Sequence, residues 1–140
     1  MRTEILTLCD YARAEPTGKL YVMGSFDHIF ATQEPILYPL CAIAARIRFE
    51  RTEQGPKNVF VSFIDSDGSK VMPDLHAQLQ VTLAPQESTA VLHFVVVIPQ
   101  IQLPRFGEYE IALAVDSRQE ASIPLYVHRQ PAPGIGGPPQ

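Results

Sequence analysis

The sequence predicts an all-β protein, an antiparallel β-sandwich of Greek-key type with about seven to nine strands. Apolar and polar residues alternate with a period of two in one segment after another, and Gly, Pro and Asp separate these segments. No long stretch repeats its apolar residues at the period of a helix. Of the 140 residues, 46% are hydrophobic and 19% are charged, which is enough apolar material for one core.

The first strands are predicted at residues 5–11 and 20–31, with a turn at residues 16–18 between them. In the first strand the odd positions from Ile5 to Tyr11 share one face, and Leu6 and Leu8 share the other. Gly24 lies inside the second segment, where a glycine often marks a bulge or a close backbone approach. Pro35 and Pro39 interrupt the segment that follows, so we expect it to pair only partly or at a sheet edge.

Residues 41–50 show the clearest alternation in the chain. The polar row contains Arg46 and Arg48, so one face is expected to be wet and the other buried. The apolar row is Cys41, Ile43, Ala45, Ile47 and Phe49. Without a tryptophan to pack against a disulfide, Cys9 and Cys41 are interpreted as reduced, buried, small hydrophobic residues.

The middle of the chain is predicted as a polar loop at residues 52–57, a strand at 59–64 covered on both faces, and a turn at 65–68. Weaker strands follow at residues 78–83 and 90–102, separated by a turn at 85–88. The valine-rich stretch 90–98 favours a strand over a helix, and Pro99 is expected to kink or bulge it.

The last unit, from Leu103 to His128, is predicted as a sharp corner followed by a β-hairpin. Two alternating runs, 109–115 and 121–127, flank a short polar turn at residues 116–119. Tyr109 follows Gly107 at the start of the first run, as in the tyrosine corner of Greek-key sandwiches, where the phenol oxygen bonds to upstream backbone.

Residues 1–129 are expected to form a single domain, and residues 130–140, rich in Pro and Gly, a flexible tail. The N-terminus lacks the apolar segment of a signal peptide, and the longest apolar run is too short to cross a bilayer, so we expect a cytoplasmic protein without membrane insertion. The net charge of −4 disfavours nucleic acid as a partner.

Metal and cofactor signals are weak. Asp65 and Asp67, with Gly68, resemble the start of a calcium loop, but the later ligands of an EF-hand are missing, and a capped turn is the favoured interpretation. The four histidines are scattered without metal-ligand spacing. We therefore expect no metal, no cofactor and no catalytic residue.

A polar patch is the remaining candidate site. If the early strands lie beside the strand at 41–50, Asp10 and Asp27 would meet Arg46 and Arg48, whose guanidinium groups suit a carboxylate or phosphate ligand. The favoured alternative is a set of cross-strand salt bridges on a wet sheet face.

Six segments of the chain together carry a resemblance to known sequences: 5–12, 18–20, 24–27, 45–49, 65–68 and 107–109. With them the chain resembles a family of small, uncharacterised bacterial proteins over residues 3–128. The resemblance implies a bacterial protein with an immunoglobulin-like sandwich, and it supplies no activity and no functional residue.

The sequence thus predicts a non-catalytic binding or scaffolding domain whose exposed strand edges pair with a protein partner or a second copy. Whether the protein is an enzyme stays open, because a small-ligand-binding or hydrolytic site could use Asp10, Asp27, His28, Arg46 and Arg48. A second alternative is a calcium- or lipid-binding sandwich at residues 65–67.

Overall fold

The computed structural model describes residues 1–131, which form two β-sheets packed face to face. The prediction of an all-β sandwich is confirmed, and the described part of the chain has nine strands and one short 3-10 helix at Arg51–Glu53. The strands are β1 (Arg2–Ala14), β2 (Leu20–Phe26), β3 (His28–Ala31), β4 (Ile36–Glu50), β5 (Gly55–Ile64), β6 (Leu75–Val81), β7 (Thr89–Leu103), β8 (Gly107–Val115) and β9 (Arg118–Arg129).

The first sheet has the order β2-β1-β4-β7, and the second has the order β3-β9-β8-β5-β6. All neighbouring strands are antiparallel except β3 and β9, which run parallel at one edge of the second sheet. The predicted extended segment 20–31 is divided in two, because the chain leaves the first sheet at Phe26 and joins the second at His28. These two strands therefore tie the sheets together.

The core lies between the two inner faces, and β4 supplies its central row. The five predicted apolar side chains of this row are fully buried, from Cys41 to Phe49. Opposite them, Val59, Val61 and Phe63 of β5 are also fully buried. The alternation in the sequence thus identifies correctly which residues of β4 face the core.

The outer face of the first sheet holds a second, smaller apolar cluster, formed by Cys9, Ala12, Ala42 and Ala44. The outward-facing row of β4, which was expected to be solvated, therefore reaches solvent only toward the C-terminal end of the strand. Leu8 and Cys9 are both buried on opposite faces of β1, whereas Tyr11 is 49% exposed. Both cysteines are free and buried, as predicted, and burial raises the pKa of the Cys41 thiol to about 11.

Strand β4 passes through Pro39 and stays in register with β7 from Ile36 to Glu50. Its first residues, before Ala42, pair with β7 alone, since β1 contacts only the later part. The expectation of one-sided pairing near Pro39 is confirmed. In β7 the buried positions change from even numbers, Phe94 and Ile98, to odd numbers, Ile101 and Leu103, on passing Pro99. The alternation is therefore interrupted at this proline, while the register with β4 is kept.

Several strand boundaries differ from the sequence prediction: β1 and β4 are longer than expected, and β5 and β6 are shifted. The loop expected at residues 52–57 ends early, because β5 begins at Gly55 and pairs with β6 from that residue onward. The strand expected at 78–83 is β6 at Leu75–Val81. Pairing with neighbouring strands outweighs the loop character of Gly, Pro and Lys at residues 55–57.

The corner and hairpin are as predicted, with a tighter turn. Only Asp116 and Ser117 separate β8 from β9, and both have positive φ angles, 50° and 68°, as a two-residue hairpin of the twisted type requires. Tyr109 is 4% exposed, and its hydroxyl donates to the carbonyl oxygen of Arg105 at 2.6 Å and accepts from the Arg105 N–H at 3.1 Å. The Tyr109 side chain is therefore hydrogen-bonded to the backbone four residues upstream, as in a tyrosine corner.

The predicted domain boundary at residue 129 coincides with the end of β9 at Arg129. The predicted tail at residues 130–140 lies outside the described residues from 132 onward. Residues 1–131 form no helix that is long and apolar enough to span a bilayer.

Replacing Tyr109 with phenylalanine should lower the free energy of unfolding by about 1 kcal/mol, because the change removes a buried, hydrogen-bonded hydroxyl and keeps the ring. Urea unfolding measures the effect. Tyr21→Phe is the matched control, since Tyr21 is exposed and should lose almost nothing. Equal stabilities for the two variants would contradict the corner.

Candidate functional site

Arg46 and Arg48 lie on the outer face of the first sheet and converge on Glu4 of β1. The Nε atoms of Arg46 and Arg48 donate to the two carboxylate oxygens of Glu4, at 2.8 Å and 2.7 Å. Arg46 also contacts the His93 ring at 3.0 Å, and Arg48 donates to the Thr89 hydroxyl at 2.9 Å. The Glu4 carboxylate of β1 is thus connected through Arg46 and Arg48 of β4 to β7, where the two arginines contact His93 and Thr89.

The charges in this cluster are balanced locally. Hydrogen bonds from Arg48 and Arg46 lower the pKa of Glu4 from 4.5 to about 2, so its carboxylate is ionised at neutral pH. Burial and the neighbouring Arg46 charge lower the pKa of His93. Glu4 occupies the guanidinium donors that an anionic ligand would need, which matches the salt-bridge interpretation of Arg46 and Arg48.

Asp10 lies at another place, opposite Gly24 in the β1–β2 pair. Gly24 has a φ angle of 69°, and a Cβ atom at this position would overlap the Asp10 carboxylate. The negative charge of Asp10 adds to the effect of burial in raising the pKa of Tyr38. The group that comes close to Gly24 is the Asp10 side chain, not the backbone of a neighbouring strand.

Asp27 and His28 lie where the chain crosses to the second sheet. The Asp27 carboxylate is 3.3 Å from Nε2 of His28, and Nδ1 of His28 is 2.8 Å from Nε2 of His128. The rings of Tyr126, His28, His128 and Phe30 form a zigzag stack in this order, each centroid 5.0 Å from the next. Sequence reasoning missed this stack because its two strands are distant in the chain.

The five residues of the predicted patch are therefore not gathered in one site. Arg46 and Arg48 face away from the core on the first sheet, while His28 and Asp27 belong to the edge of the second. Across residues 1–131, neither Asp10 nor Asp27 is an ion-pair or hydrogen-bond partner of the two arginines. The enzyme alternative required these groups together, so the geometry does not support it.

The Asp65–Gly68 segment is a turn whose carboxylates already have partners. The Asp65 Oδ1 atom accepts from the backbone N–H groups of Asp67 and Ser69, each at 2.9 Å. The Arg105 guanidinium lies 3.1 Å from Asp67 Oδ2 and 3.8 Å from Asp65 Oδ2. A guanidinium therefore provides the positive charge at this turn, in agreement with the capped-turn interpretation.

The open edge of β7 is the most extended unpaired feature of the described fold. This strand has fifteen residues and contacts β4 on one side, while its other side has no neighbouring strand within residues 1–131. It contains no Asp, Glu, Lys or Arg. Three apolar side chains on this strand and its neighbour β4 are exposed: Val97 of β7 is 52% exposed, and Leu37 and Leu40 of β4 are 55% and 60% exposed. We call these three side chains, on the paired strands β4 and β7, the β4–β7 patch.

A family model matches residues 4–128, nearly the whole described fold. The chain belongs to the family of unknown function DUF6941. No curated protein matches the sequence of this DUF6941 chain.

Solved structures similar to the DUF6941 chain include an immunoglobulin-like protein from Pseudomonas aeruginosa, with 12% identity, 91% of this chain and 95% of that chain covered, and a TM-score of 0.37. A β-glucuronidase of glycoside hydrolase family 2 has 15% identity and a TM-score of 0.42, with 67% of this chain and 10% of that chain covered. A putative β-galactosidase from Bacteroides fragilis has 16% identity and a TM-score of 0.42, with 69% and 15% covered. The DUF6941 chain thus spans a small fraction of both glycosidases.

Replacing Glu4 with glutamine should destabilise the fold at neutral pH, because Arg46 and Arg48 would then lie side by side without a carboxylate. The pKa of Glu4 is lowered in the fold, so its contribution is complete above pH 4.5 and disappears as the pH falls toward 2. Thermal melting across this range should show the two proteins converging at low pH. A constant difference in Tm would contradict the role of the Glu4 charge.

Gly24→Ala should cost more stability than Gly18→Ala. Both glycines have positive φ angles, 69° and 97°, but only the methyl group at position 24 would meet the Asp10 carboxylate. Combining Gly24→Ala with Asp10→Ala should restore the additional loss of stability that the contact with Asp10 causes. What remains is the backbone strain of about 1 kcal/mol. Chemical denaturation of these three variants and of Asp10→Ala alone measures this coupling, and additive effects of the two changes would refute the contact.

Proposed function

We propose that this chain is a non-catalytic binding domain that holds a protein partner by strand addition to the open edge of β7. The observation that carries the proposal is the combination of length, missing charge and open pairing in this one strand. An unpaired strand offers a row of backbone N–H and C=O groups to a partner strand. Natural edge strands are usually short or carry charges that prevent such pairing.

The β4–β7 patch supports the same surface. Leu40 and Val97, each more than half exposed, belong to strands that pair with one another, and Val97 is part of the edge strand itself. A partner strand added to β7 would bring its side chains beside Val97. Backbone hydrogen bonds would then supply affinity, and the apolar side chains would select the partner.

We infer that the domain works in the cytoplasm of a bacterium. The free thiols of Cys9 and Cys41 support a reducing compartment, because disulfides persist mainly in oxidising ones. The resemblance to a bacterial family supports the source. Expression of a fluorescent fusion in a bacterial host, followed by fractionation, would contradict this inference if the protein left the cytoplasm.

A synthetic peptide that copies residues 89–98, flanked by lysines for solubility, tests the strand-addition proposal. Fluorescence anisotropy of dilute, labelled protein should show saturable binding, which Val97→Lys should weaken by about tenfold or more through charge repulsion at the edge. Met23→Lys is the matched control, since it adds the same charge at an exposed position of β2, at the opposite edge of the first sheet, and should bind like the wild type. A monomeric protein that does not bind the peptide would refute the proposal.

A further inference from the structure

We infer that the partner at the edge of β7 is a second copy of this chain, paired antiparallel through its own β7 about a two-fold axis near Val96. This inference rests on the proposed function, in which the β7 edge is the binding surface, and it names the occupant. Val96 is the middle residue of Thr89–Leu103, so an axis at this position aligns the two strands from end to end, with Pro99 as the residue that has no N–H to donate.

The other three edges of the two sheets are less suited to this pairing. Strands β2 and β6 have seven residues each, and β3 has four. Strand β2 is further interrupted by Gly24, whose φ angle of 69° lies outside the extended region. Only β7 is long enough to give a ladder comparable to the one it already forms with β4.

The charge of β7 does not oppose a second copy. Between Thr89 and Leu103 the strand carries no acidic residue, lysine or arginine, so a two-fold contact brings no like charges together. The charged groups just outside the strand have partners in their own copy, since the Arg105 guanidinium lies 3.1 Å from Asp67 and Glu87 Oε1 accepts from the Ala84 N–H at 2.9 Å. A two-fold axis perpendicular to the sheet pairs the two strands antiparallel.

The side chains at the centre of β7 are also self-complementary. In this register Val96 lies opposite its own copy, and Val95 lies opposite Val97. Pairs of β-branched residues across antiparallel strands are favourable. The contact would partly cover Val97, which is 52% exposed in the single chain, and would join the outer faces of the two first sheets into one surface. A closed two-fold contact uses each β7 edge once, so assembly stops at the dimer.

Sedimentation equilibrium of the full chain tests the inference. The wild type should behave as a dimer at micromolar concentration. Met23→Lys adds the same charge at an exposed position of β2, at the opposite edge of the first sheet, and should keep the same dissociation constant. Val97→Lys should raise the dissociation constant by at least about tenfold, because the two lysines would be diagonal neighbours roughly 7–8 Å apart. Circular dichroism and Tm would establish that the variants stay folded.

A charge swap makes the test specific for the two-fold axis. Val97→Lys and Val97→Glu should each be mainly monomeric, and mixing them should restore a dimer, because opposite charges then meet across the axis. A dimer unaffected by both substitutions, or a mixture that stays monomeric, would overturn the inference. A monomeric wild type that binds the residue 89–98 peptide would overturn the second copy while leaving the proposed function intact, whereas a monomer that does not bind it would overturn both.

Discussion

Strand β4 pairs with β1 on one side and with β7 on the other, and its period-two alternation decides what each face of the first sheet contains. One row, from Cys41 to Phe49, fills the space between the sheets, and the other carries Arg46 and Arg48. A slip of one residue would exchange the two rows and bury both arginines. Glu4 of β1 contacts both guanidinium groups, so the charged contact and the core require the same register.

This arrangement of β4 leaves β7 at the sheet edge. Because β4 lies between β1 and β7, the fifteen-residue β7 has a partner strand on one side only among residues 1–131. The inner side chains of β7, such as Phe94 and Ile98, are used by the core, and its backbone on the far side is available for another strand. The charged residues that were candidate ligand-binding groups in the sequence make contacts within the fold. Arg46 and Arg48 bind Glu4 and so help to fix the strand register, and the Asp10 side chain packs against Gly24. The binding surface that we propose therefore consists of the β7 backbone and its valine side chains.

Much of the fold could be predicted because its signals are local. Alternation identified the buried row of β4, and the Gly-to-Tyr spacing identified the Tyr109 corner. Contacts between distant residues could not be predicted in this way. Nothing near Arg46 in the sequence indicates Glu4, 42 residues away, and nothing near His28 indicates His128, 100 residues away. The parallel pairing of β3 with β9 was missed for the same reason, since it depends on the chain crossing between sheets.

The central claim is that the outer edge of β7 is open in the single chain and closed by a second strand in the assembly. Residue-resolved hydrogen exchange along residues 89–103 tests it most directly, because amides that point toward β4 are protected in either state. The account predicts that the alternate amides exchange rapidly in dilute protein and become protected as the protein concentration rises. Exchange along β7 that is independent of concentration, with every second amide remaining fast at high concentration, would contradict the account.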